Sequence, residues 1–453
     1  MSIQGKKVAV VSLGCDKNRV DIEKCLGTLI FGGATLTYDF EDADIIILNT
    51  CAFLESAREE AIDHIFEIAS LKKSRDFIFV VTGCLPKKYI KDLYDEIPEV
   101  DVFLGTYDYP SIIECIEKAE KGERVNGVKN KYPDFKKECR NRVLTSSDVA
   151  YLKIADGCEN CCSYCTIPSI RGKFVSCDMD VLVEEVKNLA EIKELILVAQ
   201  DVTRYGLDLC GERSLVKLIQ RLTQLEGCPS IRLLYCYPEG ITEELIQEIK
   251  NNDKVIKYMD IPFQHASDSV LKRMNRKGGY LRYSSLVKKL KKEIPSIAIR
   301  STFMTGFPGE TEEDVEILVK FLKKAKLFNV GFFAYSREEG TPSYSMPCQV
   351  DEEEKERRLE YLYSVQKEVW EKIAKGLIGH SLAVRIEGKE IIEKDGEEIE
   401  YYFGRSYLNA PDIDGRVLFT TSREVSIGES GLVKINSYEN FDLYGKMDIK
   451  LYE

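Results

Sequence analysis

The sequence predicts an α/β protein in three parts: an open parallel α/β sheet at the N-terminus, a central partial (β/α)6 barrel, and a small antiparallel β-barrel at the C-terminus. Short apolar segments alternate with helical patterns through the first two parts. The central part holds six strand–helix units, fewer than the eight of a closed barrel. Beyond His380 the pattern changes to short strands separated by turns. We expect the three parts to span residues 5–122, 144–375 and 377–448.

The composition is that of a globular cytoplasmic protein. Of the 453 residues, 44% are hydrophobic and 31% are charged, and the formal net charge is −12. No apolar run approaches the roughly 18 residues that a membrane helix needs, and the N-terminus lacks a signal-peptide pattern. We therefore expect a cytoplasmic location and no membrane partner. An acidic surface repels nucleic-acid phosphates and attracts basic proteins.

Cysteine is abundant and histidine is rare, at 15 and 3 residues. In a reducing compartment these cysteines would be thiols or metal ligands rather than disulfides. Seven of them show no ligand spacing or lie at ordinary apolar helical positions: Cys25, Cys115, Cys139, Cys210, Cys228, Cys236 and Cys348.

The N-terminal part repeats a strand, a cysteine and a helix three times. Strands are predicted at Lys7–Leu13, Asp44–Asn49 and Phe77–Thr82, helices at Asp21–Phe31, Ser56–Lys72 and Pro86–Asp95, and a closing strand and helix at Val100–Leu104 and Tyr109–Lys121. Cys15, Cys51 and Cys84 each follow a strand. Ligands of open α/β sheets lie at the carboxyl ends of strands, so these thiols are predicted to share one edge. They indicate a three-cysteine cluster site or, alternatively, three unrelated buried thiols.

A polar linker is predicted from Arg124 to Asp148. The central strands are predicted at Tyr151–Ala155, Glu194–Gln200, Ile231–Tyr237, Lys257–Phe263, Ala298–Thr305 and Asn329–Tyr335. A charged helix follows at Asp351–Lys375, and the tail strands are predicted at Ser381–Glu387, Glu400–Tyr402, Gly415–Thr420 and Gly431–Ser437.

A second cysteine motif follows the first central strand. Cys158, Cys162 and Cys165 fit a C-x3-C-x2-C spacing, which suits three thiolates on an iron–sulfur cubane with one open iron. Cys161 allows a different interpretation, because two adjacent C-x2-C pairs would suit structural zinc. A cysteine-rich loop without a ligand is the third alternative.

With Tyr164 before its last cysteine, this motif resembles the signature of radical S-adenosylmethionine (SAM) enzymes. The resemblance implies a [4Fe-4S] cluster whose open iron binds SAM, and a six-unit partial barrel. Polar and glycine-containing segments at the ends of other central strands would then lie near SAM. We expect cofactor contacts from Tyr164, Gln200, Asp201, Gln264, Gly306 and Gly309. Cys161 and Cys177 are treated as spectators.

The N-terminal part resembles the methylthiotransferases, in Ser12-Leu13-Gly14-Cys15-Asp16-Lys17-Asn18, Asn49-Thr50-Cys51 and Thr82-Gly83-Cys84. The resemblance implies that Cys15, Cys51 and Cys84 hold an auxiliary [4Fe-4S] cluster from which sulfur is donated. The C-terminal β-barrel occupies the position of that family's TRAM domain, which often binds RNA. From His380 onward, however, there are 9 Lys/Arg and 15 Asp/Glu residues, a net charge of −6. That balance argues against direct tRNA binding.

Two segments, Gln200–Gly206 and Gly404–Gly415, resemble the branch of this family that modifies ribosomal proteins (RimO). Asp16 and Ile22 depart from that branch's pattern, but neither is a proposed ligand. The resemblance implies methylthiolation of an aspartate β-carbon in small-subunit ribosomal protein twelve, free or in the small subunit. It also implies two SAM-dependent steps and an electron donor such as flavodoxin or ferredoxin.

Two other functions remain open at this point. The first is the same chemistry on a tRNA adenosine. The second is a non-catalytic iron–sulfur or zinc protein, which would bind metal without cleaving SAM.

Overall fold

A computed structural model describes residues 3–129, 141–189, 191–394 and 396–451. The chain forms two compact units. The first comprises Met1–Ile231 and Ser336–Ser345, and the second comprises Arg232–Tyr335 and Met346–Glu453. Within the described ranges, no helix is both long enough and apolar enough to cross a membrane.

The first unit begins with a six-stranded, fully parallel sheet in the order β2-β1-β3-β4-β5-β6. Its strands are β1 (Lys7–Ser12), β2 (Thr35–Leu36), β3 (Ile45–Thr50), β4 (Ile78–Gly83), β5 (Val102–Phe103) and β6 (Val125–Asn126). Its helices are α1 (Asp16–Phe31), α2 (Glu55–Leu71), α3 (Cys84–Glu96) and α4 (Ile112–Ala119). Every residue of β3 is buried, as expected for a strand covered on both faces.

The predicted linker is partly wrong, because β6 lies inside it and extends the sheet. Residues 130–140 of this segment, which include Cys139, lie outside the described residues.

The first unit continues with a second group of strands and helices. These are β7 (Val149–Lys153), β8 (Ala155–Asp156), α5 (Ile167–Arg171), β9 (Val175–Ser176), α6 (Met179–Lys187), β10 (Glu194–Val198), α7 (Leu207–Cys210), α8 (Leu215–Thr223) and β11 (Ser230–Leu233), which crosses the boundary between the units. β7 and β10 pair in parallel. The first predicted central strand is therefore two elements, since β8 pairs with β9 instead.

The first unit ends with Ser336–Ser345, which we call the strap. It follows the last central strand along the chain and contains a 3-10 turn at Pro342–Ser345.

The second unit opens with α9 (Glu243–Asn251), β12 (Val255–Asp260), α10 (Asp268–Arg273), α11 (Tyr280–Glu293), β13 (Ala298–Thr305), α12 (Glu312–Ala325) and β14 (Asn329–Ala334). β12, β13 and β14 pair in parallel. Their helices pack on aromatic rings, with Phe263 4.5 Å from Tyr283 and Phe303 6.0 Å from Phe321 between centroids. Thr311 and Asp314 form a capping box at the start of α12.

The long helix α13 (Glu352–Leu377) leads into a closed five-stranded barrel. Its strands are β15 (Ser381–Lys394), β16 (Glu397–Arg405), β17 (Val417–Thr420), β18 (Ser430–Glu439) and β19 (Asp442–Leu451). The sequence predicts a barrel here but misses β19. The expectation of a purely antiparallel barrel is also wrong in one pair, because β17 runs parallel to β19.

The loop between β16 and β17 is anchored on the central strands of the same unit. The Asp414 carboxylate accepts hydrogen bonds from the Tyr258 hydroxyl at 2.7 Å and the Ala410 amide at 2.8 Å. Arg300 lies 3.3 Å from the same carboxylate, and its guanidinium also contacts Asp260. The segment Gly404–Gly415, whose sequence indicated the ribosomal-protein branch, therefore joins the small barrel to these strands.

Candidate functional site

The structure places Cys15, Cys51 and Cys84 at the carboxyl ends of β1, β3 and β4. Cys15 is the N-cap of α1 and Cys84 is the first residue of α3. Gly14 and Gly83 precede them with φ of +100° and +104°, a conformation that favours glycine. A Cβ on Gly83 would lie 2.5 Å from the Thr50 carbonyl oxygen. Glycine thus lets the loops approach one another.

Asn18 contacts all three cysteine loops. Its Oδ1 lies 3.5 Å from Cys84 Sγ and 4.0 Å from Cys15 Sγ. Its Nδ2 donates a hydrogen bond of 3.0 Å to the carbonyl of Thr50, the residue before Cys51. Asn18 therefore joins the three loops, and the three thiols lie close enough to raise one another's pKa. Their role as ligands of one cluster stays a prediction. Sequence reasoning did not single out Asn18, although it lies in the quoted opening motif.

Burial disfavours the thiolate form of Cys51 and Cys84, and one nearby cation opposes that effect. Burial raises the pKa of Cys84 to about 12, and burial followed by the proximity of Cys15 raises the pKa of Cys51. The guanidinium of Arg171 lies 3.8 Å from Cys84 Sγ and opposes the increase. A metal cluster favours the thiolate further, so the donor set fits an iron–sulfur cluster.

The second motif forms the loop from Gly157 to Cys165, between β8 and α5; we call it the radical loop. Gly157 has φ of +74°, and a Cβ there would lie 2.0 Å from the Lys173 carbonyl. The Cys158 amide donates to Gly172 O at 3.0 Å, while the Asn160 amide donates to Cys158 Sγ at 3.5 Å. Burial raises the pKa of Cys158 to about 11. An amide directed at this sulfur stabilises a thiolate ligand.

Cys161 differs from its three neighbours. It is exposed, has φ of +52°, and its thiol donates to the Glu159 carbonyl at 3.4 Å. In the part of the chain that the structure describes, no three His, Cys, Asp or Glu side chains are placed to hold one metal ion. A cubane needs a different arrangement, because each of its thiolates binds a different iron. Cys177 is buried in the core.

Among the expected SAM contacts, Tyr164, Gln200 and Asp201 belong to the first unit. Tyr164 is buried. The Gln200 amide donates to Asp156 at 2.9 Å, and its Oε1 is buried with no hydrogen-bond partner among the described residues. The Asp201 carboxylate accepts from Asn160 Nδ2 at 3.1 Å. Asp201 therefore holds the radical loop, a positioning role that the sequence did not indicate.

The other three expected contacts belong to the second unit. Gln264 has φ of +70°, and its buried Oε1 lacks a hydrogen-bond partner within the described ranges. A Cβ on Gly306 would lie 2.3 Å from Lys355 Cγ, so the packing of α13 requires this glycine. The Gly309 amide donates to Cys348 O at 2.8 Å. Contact of these residues with SAM stays a prediction.

A buried ionic network connects the site of Cys15, Cys51 and Cys84 with the radical loop. Arg171 donates to Asp156 at 2.7 Å and to Asp21 at 3.0 Å, and also to Asn18. Lys153 pairs with the same two carboxylates. Burial disfavours the charge on Asp156, but Arg171 and Lys153 outweigh burial and hold its pKa below the usual range. Asp156 Oδ1 also accepts from the Gly157 amide at 2.8 Å. One guanidinium thus contacts the first cysteine site directly and the radical loop through Asp156.

Three family models match the chain. They describe the Uncharacterized protein family UPF0004 at residues 7–105, the Radical SAM superfamily at residues 152–322 and the TRAM domain at residues 378–447. Proteins named ribosomal protein uS12 methylthiotransferase RimO match almost the whole chain. The protein of Geotalea uraniireducens is 46% identical over 98% of this chain and 98% of its own length. That of Thermoanaerobacter sp. is 44% identical over 97% of this chain and 100% of its own length.

The chain belongs to the RimO family of methylthiotransferases. It is a radical SAM enzyme that transfers sulfur, and an iron–sulfur cluster and SAM are its cofactors. The non-catalytic alternative from the sequence is thereby excluded.

Solved structures agree with the fold of this RimO-family chain. A radical SAM methyltransferase, TsrM from Kitasatospora setae with cobalamin and [4Fe-4S] cluster bound, matches with a TM-score of 0.55. It is 15% identical, and the match covers 87% of this chain and 82% of that one. The cobalamin-dependent radical SAM enzyme OxsB matches with a TM-score of 0.52, at 12% identity, over 81% of this chain and 57% of that one. At these identities the likeness concerns the fold alone.

Proposed function

We propose that this enzyme adds a methylthio group to the β-carbon of an aspartate in ribosomal protein uS12. The observation that carries the proposal is the name shared by relatives that are 44–46% identical over 97–98% of the chain. The acidic tail and the net charge of −12 agree with a basic protein substrate rather than tRNA.

Two [4Fe-4S] clusters are proposed. Cys158, Cys162 and Cys165 would hold the one that binds SAM, and Cys15, Cys51 and Cys84 would hold the auxiliary one. When bound, the first cluster and SAM supply a radical that removes hydrogen from an unactivated carbon, and the second presents the sulfur. We also propose three domains at residues 5–122, 144–375 and 377–448, and the three family matches fall within these ranges.

The protein's own side chains hold the cysteine loops in position. The Asn160 amide supports the sulfur of Cys158, and Asp201 fixes Asn160. Asn18 holds the three N-terminal loops together. Arg171 places a positive charge beside Cys84, where thiolate charge would accumulate. We further propose a cytoplasmic location and a small electron-transfer protein, such as flavodoxin or ferredoxin, as reductant.

The decisive experiment is anaerobic incubation of reconstituted enzyme with SAM, dithionite and purified uS12. A methylthio group that replaces hydrogen adds about 46 Da to the substrate, and peptide mass spectrometry would locate it on an aspartate. Deoxyadenosine formation without this mass gain would contradict the proposed substrate, and the same assay with tRNA would then test the alternative.

The cluster count has its own test. Reconstituted enzyme should bind about eight irons, and Cys15→Ala or Cys158→Ala should each bind about four. Cys161→Ala is the matched control and should retain about eight. Equal iron loss in Cys161→Ala and Cys158→Ala would contradict the assignment.

A further inference from the structure

The strap connects the helices behind the first cysteine site to the radical loop. Its Glu338 is buried and accepts from Arg58 of α2 at 2.5 Å and from Lys88 of α3 at 3.4 Å. Near the other end of the strap, the Ser343 amide donates to the Ser163 carbonyl at 2.9 Å. Ser163 lies between Cys162 and Cys165. The strap is therefore fixed to structures that adjoin both cysteine sites.

A groove of about 590 Å³ lies between α2, α3 and the strap. Its apolar side chains are Ile62, Leu85 and Leu93. Two tyrosines, Tyr89 and Tyr344, also line it. Four carboxylates and two guanidinium groups complete the lining: Glu55, Asp92, Glu96 and Glu339, with Arg58 and Arg337. A concave site that combines apolar side chains with a few charged groups is the usual form of a ligand-binding site.

The groove adjoins the cysteine loops along the chain. Leu85 directly follows Cys84, and Glu55 is four residues beyond Cys51. The strap forms one side of the groove, and its Ser343 is hydrogen-bonded to Ser163 of the radical loop. A polypeptide held here would lie next to the residues that are proposed to carry the chemistry.

The charge of the groove is negative. Its lining holds four carboxylates and two guanidinium groups, a net charge of −2, and the strap's Glu338 offsets one of the two positive charges of Arg58 and Lys88. Asp92 and Glu96 are exposed, and among the described residues neither makes a hydrogen bond or ion pair. Along the same helix α2, a neighbouring cavity of about 380 Å³ adds four more carboxylates: Glu59, Glu60, Asp63 and Glu67. This field repels RNA phosphates and attracts lysine and arginine side chains.

We propose that this groove binds a lysine- and arginine-rich segment of the substrate protein, with Asp92 and Glu96 as its charge partners. The inference rests on the proposed function, since a ribosomal protein must carry basic residues to bind RNA phosphates. The carboxylates fix the approach of the substrate, and the partly exposed Ile62, Tyr89 and Tyr344 offer apolar surface to the stems of its long basic side chains.

The test measures binding of labelled uS12 to the reconstituted full-length enzyme. Asp92→Asn with Glu96→Gln should weaken binding about fivefold at low ionic strength, and the difference should shrink as salt is added. The matched control is Asp95→Asn with Glu99→Gln, which changes the charge equally at exposed positions outside the groove. The control should bind like the wild type, and deoxyadenosine formation without substrate should be equal in all three.

Equal binding by the two double variants would overturn the groove assignment, while methylthiolation of uS12 by the wild type would leave the proposed function intact. Failure of the wild type to modify uS12 would overturn the function and, with it, this inference. Sedimentation addresses a second copy of the chain as the occupant. A dimer that only the groove variant dissociates would also overturn the proposal.

Discussion

Replacing Arg171 by methionine should destabilise the first unit strongly. The network contains two carboxylates, Asp21 and Asp156, and two cations, Lys153 and Arg171, so it is neutral as folded. Arg171 and Asp156 are fully buried and 2.7 Å apart. Arg171→Met leaves one uncompensated negative charge in this interior. Removing one partner of a buried pair costs about 3–5 kcal/mol in free energy of unfolding.

For a unit of this size, that loss corresponds to a decrease of roughly 6–20 °C in melting temperature. The measurement is thermal and urea unfolding under anaerobic conditions. Cluster-free protein is used, so that a difference in iron content does not contribute to the measured difference in stability. Arg171→Met combined with Asp156→Asn restores neutrality and should recover part of the stability, which makes a double-mutant cycle informative. A single variant that is no less stable than the double variant would refute the argument from buried charge.

The remaining predictions concern a histidine, a loop anchor and a glycine. Burial lowers the pKa of His265 to about 3, so the unfolded chain binds a proton below about pH 6.5 that the folded chain does not. Stability should therefore fall as the pH decreases from about 6.5 toward 3, by up to about 1.4 kcal/mol per unit from this group. In urea unfolding, the free energy of unfolding of His265→Asn should depend less steeply on pH than that of the wild type. Parallel pH curves for the two proteins would contradict this prediction. Asp414→Ala leaves the Tyr258 hydroxyl and the Ala410 amide without their acceptor. It should cost about 1–3 kcal/mol and speed tryptic cleavage near Arg405 and Arg416, whereas the exposed Glu424→Ala should do neither. Gly83→Ala should lower the iron content toward half, because its Cβ would strike the Thr50 carbonyl. Gly122→Ala, also at positive φ but with open space around it, should bind iron normally, and equal iron loss in both would contradict the steric account.

The parallel sheet of the first unit was predictable because its longer strands consist largely of consecutive apolar residues. β3 contains three consecutive isoleucines and is buried throughout. A cysteine after each of three such strands then fixes the common edge, since parallel strands end on the same side. The cysteine motif was predictable for a similar reason, because its spacing is local.

The features that could not be predicted depend on contacts between residues that are far apart in the sequence. Arg171 and Asp21 are separated by 150 residues, and no local pattern distinguishes a buried arginine from an exposed one. β19 (Asp442–Leu451) was missed although its last six residues alternate polar and apolar side chains, as a strand does. Its parallel pairing with β17 was not predictable, because β17 is not its neighbour in sequence. The strand β6 has only two residues, too few to show the alternation of polar and apolar side chains that marks a strand. The strap belongs to a unit that otherwise ends at Ile231, which composition cannot show.

That discontinuity has a consequence for biosynthesis. When Ile231 leaves the ribosome, the first unit still lacks the strap, and more than a hundred residues must be translated before Ser345 emerges. At about 5–20 residues per second this takes roughly 5–20 seconds, during which Arg58 and Lys88 have no Glu338 to bind. During the same period the Ser163 carbonyl in the radical loop lacks its donor, the Ser343 amide. The first unit therefore completes its contacts only after most of the second unit's central strands have been translated.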